Sequence, residues 1–457
     1  MKTIIPQNVL FDKIIGKQVI EKSKKYRPLI FTVIANEQVP IIYNLVTLEL
    51  LELTNQEVKL FDNEIPYSKE LDVFIEKWFL VPNDFNDAVF YKQFISIADK
   101  LKKKDAIYNY TIMTTTDCNA RCFYCYEKGT KKVAMNEDTA HQLVKYIKNH
   151  SKDNKIKICW FGGEPLFNRK AIDIISEELI NEKLNFNSLM ITNGYLFDDE
   201  TINTAITKWK LKIVQITLDG TEEIYNKTKN YIYEANINYF ERICNNIEKL
   251  LISGIGVVIR INIGVHNITD IDSLSDYLIK RYKDYKKLRI YIVPLFDFTN
   301  KRTSTEKQNL INEIIRIESK LYEHNLVRAY LPRKLTVNRC MADDDASTLV
   351  TPDGKLGMCE HFSESEIWGD IFKEDLINED IKKSWYISYD HFSECSTCKL
   401  MPVCKMINKC PEASNICDEI SRNLKFYRLK RAIINEWKQN GKLDIFANEE
   451  TAKINLL

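Results

Sequence analysis

Ten of the chain's twelve cysteines fall in two groups. Cys118, Cys122 and Cys125 share one eight-residue window, in the run DCNARCFYCY from Asp117 to Tyr126. Seven more, Cys340, Cys359, Cys395, Cys398, Cys404, Cys410 and Cys417, occupy the C-terminal part. Thiolates grouped this way suit zinc or an iron–sulfur cluster. A structural zinc site wants a fourth nitrogen or sulfur ligand, and no histidine lies near the first group in sequence. Three thiolates on a four-iron cubane leave one iron open, and an open iron can chelate a small molecule. A disulfide scaffold is the wrong reading, because such scaffolds are short and secreted. Met1–Leu10 lacks the pattern of a secretory signal, and no apolar run reaches the length of a membrane span. The expected location is therefore the cytoplasm, with no membrane partner.

Three further runs could hold a small ligand. Gly162-Gly163-Glu164-Pro165 joins two permissive glycines to a carboxylate suited to an ammonium partner. Thr192-Asn193-Gly194 reads as a turn after an apolar run. Gln215–Gly220 reads QITLDG, with Thr217 and Asp219, and Lys229 lies nine residues past its last glycine.

These runs follow candidate strands. From Tyr108 to about Asn325 a βα rhythm repeats, with strands over Asn109–Thr115, Ile156–Phe161, Ser188–Thr192, Ile213–Leu218, Val257–Ile263 and Leu288–Pro294. Helical periodicity fills Asp138–His150 and Asn238–Ile252, and Lys307–His324 follows the last strand. Strands alternating with helices predict an α/β class and a parallel sheet with right-handed crossovers. Six units fit an open partial barrel, the full barrel having eight. The cysteine loop then lies at the C-terminal mouth, where such folds build active sites.

The flanks differ. Leu29–Ala35, Val39–Asn44 and Leu48–Leu53 read as strands. Asn55–Asp62, opening on a Thr54 cap, and Ser68–Trp78 read as short helices. Asp99–Asp105 reads as a charged linker. Asn338–Asp418 is cysteine-rich with little regular pattern, and Ile420–Asn440 reads as a helix. Cys159 and Cys244, inside a strand and a helix, read as buried apolar thiols. The expected division is 1–98, 106–325, 326–420 and 421–457. The formal net charge is +1, and residues 1–100 hold 12 Lys and Arg against 14 Asp and Glu. Neither balance suits a nucleic-acid reader.

CxxxCxxC with Tyr124 before the last cysteine resembles the signature of the radical S-adenosylmethionine (SAM) superfamily. GGEP after the second strand, TNG closing the third and QITLDG across the end of the fourth resemble further motifs of that family. The resemblance implies that Cys118, Cys122 and Cys125 hold a [4Fe–4S] cluster. It also implies SAM contacts from Tyr124, Gly162, Gly163, Glu164, Thr192, Asn193, Thr217 and Asp219. Where the family often carries HDxxR, whose arginine also contacts SAM, this chain has Tyr225, Asn226 and, at the arginine, Lys229 as the candidate contact. Lys229 keeps the charge but not the bidentate fork, and a surface lysine is the alternative.

The C-terminal spacing, with Gly354 between Cys340 and Cys359 and then CxxCxxxxxC from Cys395 to Cys404, resembles the SPASM domain and its two auxiliary [4Fe–4S] clusters. Cys404 and Cys410 are two residues further apart than in that pattern. The resemblance assigns one cluster to Cys395, Cys398, Cys404 and Cys417 and the other to Cys340, Cys359 and Cys410, the latter with an open iron for a substrate thiolate. Glu360, at a position where sulfatase-maturing relatives carry a proton-accepting aspartate, is the candidate catalytic residue. His361 is a weaker one.

A β-rich unit ahead of such a core resembles the maturases of ribosomally made peptides, the sactipeptide and ranthipeptide type. Their winged-helix-like recognition domain binds the substrate's leader as an added strand. The expected partners are a precursor peptide with its leader and an external one-electron reductant of flavodoxin or ferredoxin type. The expected product is a thioether. Carbon–carbon crosslinking, sulfatase maturation and a zinc-binding adaptor are the alternatives.

Overall fold

The computed structural model describes residues 1–101, 106–152, 155–233, 237–295, 302–331, 340–360, 366–375, 377–386, 393–404 and 417–439. Two compact units emerge. The first combines Met1–Lys103, Ala329–Cys340 and Ile387–Leu457; the second combines Lys104–Arg328 and Met341–Tyr386.

In the first unit, β1 (Lys2–Ile5), β3 (Thr32–Asn36), β4 (Pro40–Asn44) and β5 (Leu50–Glu52) form an antiparallel sheet ordered β1-β5-β4-β3. β2 (Lys25–Pro28) lies between β6 (Ile65–Pro66) and β7 (Leu80–Pro82) in a second sheet. The helices are α1 (Val9–Ile14), α2 (Asp72–Glu76), α3 (Asp87–Lys100) and, from the far end of the chain, α12 (Glu419–Gln439). Alternate residues of the larger sheet enter different cores. Val33, Ala35, Ile41 and Tyr43 pack with Phe11, Phe94, Ala432 and Ile433. Ile42 and Leu51 pack with Phe74 and Ile75. Both faces are thus covered, one of them partly by α12. Trp437 Nε1 also donates to Glu52 at 2.7 Å.

Local chemistry trims several expected elements. The first predicted strand starts only at Thr32, because the Leu29 carbonyl accepts both Thr32 N–H and its hydroxyl in a turn. The Thr54 cap forms, reciprocally with Glu57. Past the cap the chain winds into a 3-10 segment, Glu57–Phe61, that buries only Phe61. So short a segment has little packing to extend it. Ser68–Trp78 divides into a 3-10 turn, Lys69–Leu71, and α2, and Trp78 ends it in the left-handed region at φ +61°.

In the second unit six parallel strands lie side by side in chain order. They are β8 (Asn109–Thr115), β9 (Ile156–Gly162), β10 (Phe186–Thr192), β11 (Leu211–Thr217), β12 (Gly256–Ile263) and β13 (Leu288–Pro294). The intervening helices are α4 (Glu137–His150), α5 (Arg169–Asn181), α6 (Asp199–Thr207), α7 (Glu222–Lys229), α8 (Tyr239–Ile252) and α9 (Ile271–Tyr282); α10 (Ser304–Glu323) follows β13. Asn136, Asp198 and Asn238 cap α4, α6 and α8, and Thr303 and Glu306 form a capping box on α10.

The cysteine-rich segment is more regular than expected. β14 (Ser347–Val350) joins the sheet parallel to β8, and β15 (Lys355–Gly357) and β16 (Gly369–Asp370) extend it antiparallel. α11 (Glu379–Ser384) follows. On β10, Phe186, Ser188, Met190 and Thr192 are buried while Asn187, Leu189 and Ile191 are half-buried, so one face of the sheet is less covered. Cys159 lies on the corresponding half-buried face of β9, opposite Thr111, whereas Cys244 is buried. No described helix is long and apolar enough to cross a membrane.

Candidate active site

The C-terminal ends of β8 and β9 are fastened together where the first cysteine loop begins. Gly163 N–H donates to the Thr115 carbonyl and Glu164 N–H to that of Asp117, both at 2.9 Å. This approach needs the two glycines. A Cβ on Gly162, at φ +131°, would lie 2.2 Å from the Thr115 oxygen, and one on Gly163 would lie 2.3 Å from the Asp117 oxygen. Gly163→Ala should therefore push the strand ends apart, with a stability loss of about 1–3 kcal/mol by the usual cost of overpacking. Urea unfolding measures it, and an unchanged midpoint would contradict the described junction.

The turn delivers Glu164 to a fully buried position. Its carboxylate accepts from Thr192 Oγ1 at 2.7 Å, Asn193 N–H at 2.8 Å and Leu166 N–H at 3.2 Å. Burial nevertheless pushes its pKa up to about 7. Thr192-Asn193-Gly194 is thus more than a turn, since it seats this carboxylate. Asn193 Nδ2 reaches Asn119 Oδ1 at 2.6 Å and Cys118 Sγ at 3.8 Å.

The cysteine loop is held from several sides. Cys118 N–H donates to Asp117 Oδ1 at 2.8 Å, and Cys125 N–H to the Cys122 carbonyl at 3.2 Å. Burial, with the Glu164 carboxylate next, pushes the Cys118 thiol up to about 12, and burial also raises Cys122 and Cys125. A bound metal group would displace their protons. Among the described residues no three His, Cys, Asp or Glu side chains converge as on a single ion. A cubane asks for no such convergence, because each thiolate binds a different iron. The donor set, three soft sulfurs on one loop, fits it.

Asp219, past the end of β11, is buried and fully bonded. Its Oδ1 accepts from Asn262 N–H at 2.8 Å and Nδ2 at 3.1 Å. Its Oδ2 takes the Tyr124 hydroxyl and the Lys229 ammonium, the latter at 3.2 Å. Lys229 is 3% exposed, which overturns the surface-lysine alternative. Thr217 closes β11 and is half-buried.

Several residues at the site carry no motif. Asn119 and Asn267 are fully buried, and Asn267 Nδ2 bridges the Asp219 and Asn262 carbonyls. Asn262, a polar residue inside the apolar run VVIRINI, was a visible signal. Glu127 has a buried carboxylate oxygen without a hydrogen bond, and burial pushes its pKa up to about 7. Nothing in sequence marks it beyond its place after the third cysteine.

Of the C-terminal set, Cys359 is buried at the end of the β14–β15 hairpin, with Sγ 3.6 Å from Glu360 Oε2. Tyr126, raised chiefly by burial, also feels Glu127 and Glu360, which places Glu360 near the first cysteine loop. Gly354 makes the hairpin turn at φ +83°. Cys340, Cys395, Cys398, Cys404 and Cys417 belong to the first unit and are half-buried. Cys398 N–H donates to the Cys395 carbonyl at 3.2 Å, and Arg422 Nη1 approaches Cys417 Sγ at 3.7 Å. Cys410 and His361 lie outside the described residues.

A parallel α/β sheet with its bonded polar groups at the strand ends is the architecture in which that end carries the active site. Residues 112–278 match the radical SAM superfamily, so the second unit carries a radical SAM domain. That family implies a four-iron cluster and SAM. Similar proteins include the GTP 3′,8-cyclase of Clostridium perfringens (strain SM101 / Type A), 26% identical over 298 residues that span 60% of this chain and 88% of that protein. Another is the radical SAM cyclopropyl synthase TigE of Paramaledivibacter caminithermalis, 24% identical over 288 residues, 53% of this chain and 58% of TigE. Among solved structures, anSMEcpe with bound AdoMet shares the fold, with a TM-score of 0.57, 14% identity, and coverage of 76% of this chain and 99% of that one.

Proposed function

We propose that this protein is a radical SAM peptide maturase that joins a cysteine sulfur of a ribosomally made peptide to one of the peptide's own carbons. The observation that carries the reading is the junction of the cysteine loop with the Gly162–Glu164 turn, which sets a buried carboxylate where the Cys118 thiol feels its charge. The seven C-terminal cysteines support the peptide part of it. One solved structure of the same fold, anSMEcpe, has bound AdoMet and the Kp18Cys peptide.

Cys118, Cys122 and Cys125 would hold the cluster, and Glu164 would take the SAM ammonium. Thr192 and Asn193 fix that carboxylate, and Tyr124, Thr217 and Asp219 complete the wall. When bound, the cluster and SAM supply reductive cleavage of a SAM carbon–sulfur bond and a 5′-deoxyadenosyl radical. Cys395, Cys398, Cys404 and Cys417 would hold one auxiliary cluster, and the remaining C-terminal cysteines a second with an open iron. Glu360 would accept a substrate proton. Residues 1–98 would take the leader as an added strand, and a flavodoxin or ferredoxin would deliver the electron.

The similarity to GTP 3′,8-cyclases favours a second reading, in which the substrate is a nucleotide. Reconstituted full-length protein with SAM and reductant separates the two. The substrates are GTP and any cysteine-containing peptide encoded beside the gene, followed by mass spectrometry. The expected result is a peptide lighter by two hydrogens whose cysteine no longer reacts with iodoacetamide. A lighter peptide with a free thiol would mean carbon–carbon crosslinking. Consumption of GTP with the peptides untouched would replace the maturase reading by the second one.

A further inference from the structure

Lys229 is the last residue of α7, and Asn230 turns the chain away from it in the left-handed region at φ +45°. Both its main chain and its side chain grip the cysteine loop. Its carbonyl accepts Arg121 N–H at 2.9 Å and lies 3.9 Å from Cys122 Sγ. Its ammonium donates to the Tyr124 hydroxyl at 2.9 Å and pairs with Asp219 at 3.2 Å, 5.5 Å from the Tyr124 ring centre and 5.8 Å from that of Tyr225. The points gripped, Arg121, Cys122 and Tyr124, cover the middle of the segment between Cys118 and Cys125. Behind Lys229, Asp219 is tied to the β12 end by Asn262. These bonds use the ammonium inside the protein.

We propose that Lys229 is a positioning residue that clamps the middle of the cysteine loop and, as a buried cation beside Cys122, sets the reduction potential of the cluster. The proposal rests on the reading that Cys118, Cys122 and Cys125 hold that cluster. Adding an electron makes the cluster more negative, so a nearby buried cation favours the reduced form and a nearby anion opposes it. Lys229 and Asp219 therefore act on the potential with opposite signs, although each supports the same hydrogen-bond network. A role confined to packing has no such sign.

The test is a potentiometric titration of reconstituted full-length protein, followed by electron paramagnetic resonance. The triple alanine variant of Cys118, Cys122 and Cys125 identifies the signals that remain without the first cluster. Lys229→Met is expected to lower the midpoint of the first cluster and Asp219→Asn to raise it, while Lys229→Arg keeps the charge and stays near the wild-type value. SAM affinity should change less in Lys229→Met than in a variant of Glu164. Midpoints that shift in the same direction in Lys229→Met and Asp219→Asn, or that do not shift with iron content intact, would overturn the proposal. So would a loss of SAM affinity in Lys229→Met at an unchanged midpoint, which would make Lys229 a SAM contact. If Lys229→Met does not fold, Asp219→Asn and Lys229→Arg carry the same comparison, since a lowered midpoint in the first or a displaced one in the second contradicts it. Equal iron content in wild type and the triple variant would instead mean that the cluster reading itself had failed.

Discussion

Replacing Cys118, Cys122 and Cys125 together by alanine is expected to abolish reductive cleavage of SAM. Alanine offers no ligand, and the neighbouring side chains do not substitute. Glu164 is occupied by Thr192 and Asn193, and Asp117 accepts from Cys118 N–H and the Lys132 ammonium. The strand ends should survive, because the bonds joining them run through the backbone of Thr115, Asp117, Gly163 and Glu164. The variant should thus fold and lose one cluster's worth of iron. Chromatographic assay of 5′-deoxyadenosine reads the activity, and iron and sulfide analysis reads the cluster. Cleavage at the wild-type rate would move the site elsewhere in the chain.

Glu164→Gln is expected to weaken SAM binding by roughly ten- to a hundredfold. A charge-assisted hydrogen bond contributes about 1.5–3 kcal/mol, and each 1.4 kcal/mol is about tenfold in affinity. Glutamine also turns an amide N–H₂ toward partners that are all donors, Thr192 Oγ1 and the Asn193 and Leu166 amides. The effect should depend on pH. Burial raises the Glu164 pKa to about 7, so below that value the free wild-type site is largely protonated and resembles the variant electrostatically. An ammonium prefers the carboxylate, so wild-type affinity should rise from about pH 6 to about pH 7.5. Above that the amino group of SAM itself begins to lose its proton, an α-amino group titrating near 7.7–8.0. The variant should lack this rise. Calorimetry in buffers of different ionisation enthalpy measures both affinity and the proton released. A wild-type to variant ratio that stays constant over that range would sink the assignment.

The parts of the second unit that hold these residues were legible for a physical reason. β8 and β13 coincide with the expected strands, β9, β10 and β12 differ by one or two residues at one end, and β11 is shifted at both. Each is a seven- or eight-residue strand built around apolar residues and alternating with helical stretches, so length and pattern agree. β14 was not legible, because four residues in a cysteine-rich stretch become a strand only through pairing with β8. In the first unit the apolar runs were visible but their limits were not, since turn hydrogen bonds such as Leu29 to Thr32 decide them. Within the site, glycine, glutamate and cysteine announced themselves by type. Asn119 and the fate of Lys229 did not, because an asparagine in a loop and a lysine at a helix end are ordinary until the partner is known.

The packing of α12 against the N-terminal sheet bears on the order in which the chain acquires its structure. Ala432 and Ile433 complete a core begun by Phe11, Val33 and Tyr43. At synthesis rates of roughly 5–20 residues per second, α12 emerges on the order of tens of seconds after β3. All six parallel strands of the second unit leave the ribosome in that interval. The first sheet made is therefore among the last to be covered, and during translation its α12 face stays open to chaperones. A stop codon within α12 should accordingly show itself as aggregation of the N-terminal unit rather than as a defect at the cysteine loop.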